Sequence, residues 1–249
     1  MEKEKLSEFC NQGADELYEY VPRVRRTIRE VITEFRSLKM PKEYMFGLSP
    51  LLGSGQFFIA SSCLVHRKHV HLRVAIVRYR TKLKIPRRGV CSTYPVVLNH
   101  GDTLRIKIQR GILSQPRNPE TPIVCVGRPG SGIARMRAPI EQRIHDGAAN
   151  NTLYFGCRSE SKDHHYGSEW FSLAESGKLT YRTVFSRDGP EGVKHVYAQD
   201  RMREDAERLW DLLERKGRWL SSNKMPAAVK DALYEEMQDE GRLFEVSWS

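Results

Sequence analysis

In Pro122-Ile123-Val124-Cys125-Val126-Gly127-Arg128-Pro129-Gly130-Ser131-Gly132-Ile133-Ala134, a short apolar run meets a glycine-rich bend, and a helical pattern follows from Ile133 to His145. Strand, tight turn and helix in that order form the opening unit of an α/β layer. Glycines let a backbone approach a ligand, and the unpaired N–H groups at a helix start favour phosphate. A merely tight strand-to-helix turn has the same letters. The bend lacks the Lys-Ser/Thr pair of a nucleotide-hydrolysing loop.

Downstream the alternation continues. Thr152–Phe155 reads as a strand, His165–Ala174 as a helix, Leu179–Phe185 as a strand and Arg201–Lys216 as an amphipathic helix. Met225–Glu240 reads as helix and Leu243–Trp248 as a final strand. This βαβα order predicts a mainly parallel sheet flanked by helices. One strand is short of material: after Gly217 only Trp219-Leu220 precede Ser221-Ser222-Asn223, fewer than the roughly five to six residues of a mean strand.

Upstream, Pro116, Pro119 and Pro122 mark a boundary. From Gln56 to Gln109 the pattern is strand-like. Val70, Leu72, Val74, Ile76 and Tyr79 largely alternate, and Leu104, Ile106 and Ile108 alternate strictly with Arg105, Lys107 and Gln109. The first 36 residues read as helix, with Leu6, Phe9, Leu17 and Tyr20 on one face, then Val24, Ile28, Val31, Ile32 and Phe35 after Pro22. The expected organisation is therefore a helical segment over 1–36, a β part over 37–117 and an α/β domain over 118–249.

A chain of 249 residues accommodates one or two domains. With 39% apolar and 29% charged residues it is polar yet too rich in aliphatics for disorder. No uncharged apolar run approaches the roughly 18 residues of a membrane span, and no secretory signal stands behind Met1. A soluble, cytoplasmic protein is expected. The five cysteines form no CxxC pair, which suits reduced thiols. The +10 formal charge is concentrated between Val65 and Arg110, where twelve Lys/Arg stand against Asp102 alone. Such a field draws nucleic acid, phosphorylated ligands or an acidic protein surface.

Three clusters carry candidate chemistry. Phe185-Ser186-Arg187, followed by Lys194, His195 and Tyr197, places cations and a ring after a strand's C-terminal end, where open α/β sheets bind ligands. The arginine fork suits a phosphate monoester; a solvated charged loop is the bland alternative. Gly156-Cys157-Arg158 brings another cation to the same rim. Gly89-Val90-Cys91-Ser92, after Arg87-Arg88, reads either as a diphosphate cradle or as a surface turn. Cys63, His66, His69 and His71 fit no tetrahedral zinc spacing, and no serine sits in a nucleophile-elbow setting.

Taken in this order, these motifs resemble the NADPH-dependent diflavin reductases, nearest their cytosolic branch that feeds electrons to iron–sulfur cluster assembly. Gly130-Ser131-Gly132-Ile133-Ala134 is similar to the family's dinucleotide turn, and Tyr154-Phe155-Gly156-Cys157-Arg158 to its strand ending in Cys-Arg. The resemblance assigns Ser131, Ser186, Arg187, His195, Val196, Tyr197, Ala198 and Gln199 to NADPH. It assigns Arg25, Phe57, Phe58, Gly89, Val90, Cys91, Ser92 and Trp248 to FAD, with Trp248 as the aromatic shield over the flavin. It implies an antiparallel flavin-binding barrel, here partial and carrying a helical insertion, followed by an NADP-binding α/β domain. Hydride would pass from NADPH to FAD, and electrons onward through FMN, whose site is not found in this sequence, to an acidic electron-transfer protein such as an iron–sulfur assembly scaffold.

Several positions depart from the family pattern. Gly55 stands where an arginine is expected, Phe58 where a serine is, Arg135 where a proline follows Ile-Ala, and His195 where a lysine precedes Val196-Tyr197. Two other readings stay open: a reductase remnant acting at most as a binding module, and nucleic-acid binding through the basic face. The second is weakened by the few strand-borne aromatics there.

Overall fold

In the computed structural model, the described residues are 2–11, 14–48, 51–109, 111, 116, 118–127, 130–189, 195–214, 217–221 and 243–245. The chain divides into two compact units, 1–56 with 76–103, and 57–75 with 104–249.

In the first unit, α1 (Glu2–Asn11), α2 (Ala14–Tyr20) and α3 (Ile28–Glu34) bear out the helical reading of the amino-terminal segment. They meet through aromatic rings: Phe9 stacks on Tyr20 at 5.1 Å, and Tyr20 meets Phe35 edge-on at 6.1 Å. The break between α2 and α3 is closed by a capping box, in which Thr27 accepts the Glu30 N–H and Glu30 accepts that of Thr27. A short turn of helix, α4 (Met45–Leu48), follows. The hairpin β1 (Arg78–Arg80) and β2 (Pro86–Arg88) pairs antiparallel, Arg78 opposite Arg88 and Tyr79 opposite Arg87, and leads into α5 (Val90–Thr93).

The second unit contains a five-stranded parallel sheet of β3 (Ile123–Gly127), β4 (Asn151–Cys157), β5 (Thr180–Phe185), β6 (Arg218–Ser221) and β7 (Leu243–Glu245), in the order β5-β4-β3-β6-β7. Its described helices are α6 (Ala134–His145), α7 (Glu160–Asp163), α8 (Gly167–Glu175), α9 (Ala198–Glu204) and α10 (Ala206–Glu214). The central strands are buried on both faces, which explains their unbroken apolar text. Along β4 the period of two is visible. Leu153, Phe155 and Cys157 join Ile133, Met136, Ile140 and Trp170 in one core cluster. Thr152, Tyr154 and Gly156 meet the other helical layer, through Arg208, Asp205 and Ala198 respectively.

The strand that seemed short of residues is present. Four residues, Arg218–Ser221, pair parallel with β3 from Ile123 to Val126, and β7 pairs with β6 in turn. Two neighbours supply the ladder bonds, so apolar content mattered less than position. The helix expected over Arg201–Lys216 starts earlier, at Ala198, and is broken at Asp205 into α9 and α10. Asp205 is drawn instead into a fork with Arg182 at 2.6 and 2.8 Å and accepts the Tyr154 hydroxyl at 2.8 Å.

The flavin-side β reading needs correction. Among the described residues, Val70–Tyr79 yields only an isolated bridge between Ile59 and Leu72, plus the start of β1, and Leu104–Gln109 forms no strand. Ile106 is 71% exposed and Ile108 64%. Alternation specifies a strand only where a neighbour accepts its backbone groups and covers its apolar face. Of the antiparallel barrel part, the two-stranded hairpin is the piece described. The helix read over Met225–Glu240 lies outside the described residues.

Candidate functional site

The carboxyl ends of β3, β4 and β5 share one rim because the three strands are parallel and in register. Beyond β5 the pairing continues: Ser186 donates its N–H to the Cys157 carbonyl at 2.9 Å, and Arg187 to that of Arg158 at 2.8 Å. Ser186 is half-buried and Arg187 exposed, a hydroxyl and a guanidinium at the mouth. Asp188 then turns back and accepts the Glu160 N–H at the start of α7, at 2.6 Å. That contact was not anticipated from sequence, although an aspartate directly after Ser186-Arg187 is the residue type that ties a loop to a helix start.

At the end of β3, Gly130 adopts φ +78, a left-handed conformation open to glycine at little cost, and a Cβ there would meet nothing within 4 Å. The bend Gly130–Ile133 carries half-buried Ser131 and runs directly into α6. On the other side of the rim, α9 begins against β4: a Cβ on Gly156 would lie 3.2 Å from the Ala198 Cβ and 3.4 Å from its N. Close approach therefore sets this glycine and brings Val196, Tyr197, Ala198 and Gln199 to the rim. Tyr197 is exposed, its N–H is held by Asp200 at 2.9 Å, and its ring lies 6.5 Å edge-on from that of His195. All the residues assigned to NADPH thus come from elements at one edge of one sheet. Lys194 lies outside the described residues. Exposed donors, a cation and an open glycine bend fit a phosphorylated dinucleotide.

Cys157 also lies at this rim. It is buried, and burial raises its thiol to about 11; burial likewise pushes Cys125 up to about 12. All five cysteines are free.

In the first unit, a second set gathers around the hairpin. Arg25, itself at φ 55, lies over the Tyr79 ring at 4.9 Å. Arg87 pairs with Glu30, which holds that carboxyl down at about 2. Gly89 donates to Val77 at 2.9 Å, and buried Ser92 accepts the Val77 N–H at 3.0 Å. The Ser92 hydroxyl is therefore committed to the chain. The first-turn N–H groups of α5, at Val90, Cys91 and Ser92, have no intrahelical acceptor by geometry and suit an anion. Arg25 belongs to the same unit, and donors of this kind fit the diphosphate of FAD. Phe57 and Phe58 belong to the second unit, and Trp248 lies outside the described residues. Among the described residues no group of His, Cys, Asp or Glu could hold a metal ion, and no helix is long and apolar enough to cross a membrane.

Residues 1–94 match the model of the FAD binding domain, and residues 128–220 that of the oxidoreductase NAD-binding domain. Proteins called NADPH-dependent diflavin oxidoreductase 1 are similar along the chain. The mouse protein is 39% identical over 98% of this chain and 42% of its own length. The Xenopus laevis protein is 40% identical over 98% and 41%, and that of Schizosaccharomyces pombe 38% over 94% and 40%. The chain spans about two fifths of the length of these curated relatives.

Proposed function

We propose that the chain is a member of the NADPH-dependent diflavin oxidoreductases, with matches to an FAD-binding and an NAD-binding domain, and that it is the module that takes hydride from NADPH onto FAD and passes electrons to a protein acceptor in cytosolic iron–sulfur cluster assembly. The observation that carries the reading is the shared rim of β3, β4 and β5, where Ser131, Ser186, Arg187, Tyr197 and Gln199 are set out around a glycine bend. The two cofactors, when bound, supply the redox chemistry. The residues bind and orient. Arg187 and Ser186 would take the 2′-phosphate, the Tyr197 ring would serve the adenine, and the Gly130–Ile133 bend would serve the diphosphate. On the flavin side, Arg25 and the α5 backbone of the first unit would hold the FAD diphosphate.

The acceptor is proposed to be an acidic electron-transfer protein. Support comes from the hairpin, where Arg78, Arg80, Lys82, Lys84 and Arg88 are all exposed. The test is direct. The purified chain, incubated with FAD and desalted, should remain yellow and bleach anaerobically on NADPH, with NADH at least about tenfold weaker. A protein that keeps no flavin and binds both nucleotides equally, or neither, leaves only a binding remnant.

A further inference from the structure

Where β4 and β5 end, the chain beyond β5 stays tied to the chain beyond β4. Ser186 and Arg187 donate their N–H groups to Cys157 and Arg158 at 2.9 and 2.8 Å, and Asp188 then accepts the Glu160 N–H at 2.6 Å. The third bond differs from the first two in using a side chain. It also falls where α7 needs a partner. The N–H groups of a first turn have no acceptor within their own helix, and Ser159, the residue before α7, makes no capping bond with its hydroxyl. Asp188 supplies that cap from the neighbouring strand's end, 28 positions away in the chain.

An aspartate is an unexpected neighbour for a cation that is to take a phosphate. Asp188 directly follows Arg187. It is one of three carboxylates at this edge: after burial itself, Asp163, Asp188 and Glu160 all raise the Cys157 thiol. Each of them repels a phosphate, and a carboxylate left to swing would pair with the guanidinium beside it. Among the described residues, however, no acid pairs with Arg187. Asp163 is taken by Arg158 at 3.3 Å, and Asp188 by the Glu160 N–H.

We propose that Asp188 is a positioning residue for the 2′-phosphate site. Its bond to the Glu160 N–H fixes the turn that carries Ser186 and Arg187, and it keeps the carboxylate off the guanidinium, so that hydroxyl and cation stay open to the phosphate together. Groups held in place before binding lose less freedom when the ligand arrives. The inference rests on the proposed NADPH binding and deepens it: preference for the 2′-phosphorylated dinucleotide depends on a bond between two protein groups as well as on the groups that touch the ligand.

The experiment is titration calorimetry of the full chain with NADP⁺ and with NAD⁺, read as the ratio of the two affinities. Asp188→Ala should lower NADP⁺ affinity about 3- to 10-fold and leave NAD⁺ within about twofold. Asp188→Asn, whose amide oxygen still accepts the N–H, should keep the wild-type ratio or exceed it. Glu160→Pro removes the donor instead of the acceptor. Proline suits the first position of a helix, and Ser159 before it is already extended at φ −142 and ψ 137, so α7 is retained. This variant should lower the ratio at least as far as Asp188→Ala, because the carboxylate is then both present and untied. In an Arg187→Ala background, Asp188→Ala should cost little more. Thermal melts report folding; should one variant fail to fold, the other still breaks the same bond. A ratio unchanged in the folded variants overturns the proposal and leaves the function intact. Equal loss of NADP⁺ and NAD⁺ marks a merely structural bond and overturns it as well, as does full additivity with Arg187→Ala. A wild-type chain that binds NADP⁺ no better than NAD⁺ sinks the functional reading itself, and this proposal with it.

Discussion

Arg187 shows how much one exposed cation contributes. Its backbone is fixed by the bond to Arg158, so the guanidinium is offered from a rigid base. A hydrogen bond to a charged group contributes about 1.5–3 kcal/mol, and exposure favours the lower end. Arg187→Ala should therefore weaken NADPH binding about tenfold and leave NADH nearly unchanged, as read by titration with each nucleotide. Asp205 is the contrasting case, half-buried and structural. Arg182 first, and then the Tyr154 hydroxyl, hold its carboxyl below the ordinary range against the opposing effect of burial. Asp205→Asn should cost about 1–3 kcal/mol at pH 7 in urea unfolding, because the fork and the phenol lose a charged acceptor. A depressed carboxyl stabilises above its unfolded value near 3.9, and that stabilisation is lost as pH falls through the folded one. The difference between the two proteins should accordingly shrink below about pH 4.

At the level of elements, α9 is placed by the absence of a side chain on β4. Ala198 fits against Gly156 with 3.2 Å to an added Cβ, and Val184 stands at 3.5 Å. Gly156→Val should push the start of α9 outward, costing about 1–3 kcal/mol in stability as an overpacked contact. Because Tyr197 and Gln199 ride on that helix start, affinity for 2′,5′-ADP should drop as well. Gly156→Ala should be milder on both counts. If the valine variant kept its nucleotide affinity, Tyr197 and Gln199 would not be at the nucleotide.

For the whole molecule, charge and burial make two predictions. Exposed cations on the hairpin act at a range set by screening, about 10 Å at 0.1 M salt. Association with an acidic partner should therefore slow steeply as salt rises, while FAD retention changes less; stopped-flow reduction of an acidic acceptor against ionic strength measures this. The second concerns acid stability. His164 and His165 are kept below the usual histidine range, mainly by burial, and His164 bonds the Tyr181 hydroxyl at 2.8 Å within a cluster of rings. The unfolded chain takes up those protons first, so stability should fall as pH drops below about 6.5. His164→Gln should flatten that upper limb of melts run from pH 8 to 3, and Asp205→Asn the lower limb.

The parallel sheet, its glycine bend and the rim residues Ser186, Arg187 and Tyr197 were legible in the residues alone. A covered sheet demands continuous apolar strands, and their carboxyl ends are where an open α/β sheet gathers its loops. The strand at Arg218–Ser221 was not legible, because its stability comes from two neighbours rather than from its own four residues. Leu104–Gln109 failed in the opposite sense, with alternation present and no pairing neighbour described. The break at Asp205, the commitment of Ser92 to Val77 and the meeting of Arg135 with Phe58 join residues far apart in the chain. Local pattern carries periodicity, turns and charge. Which distant side chain answers a buried charge is decided only when packing brings the two together.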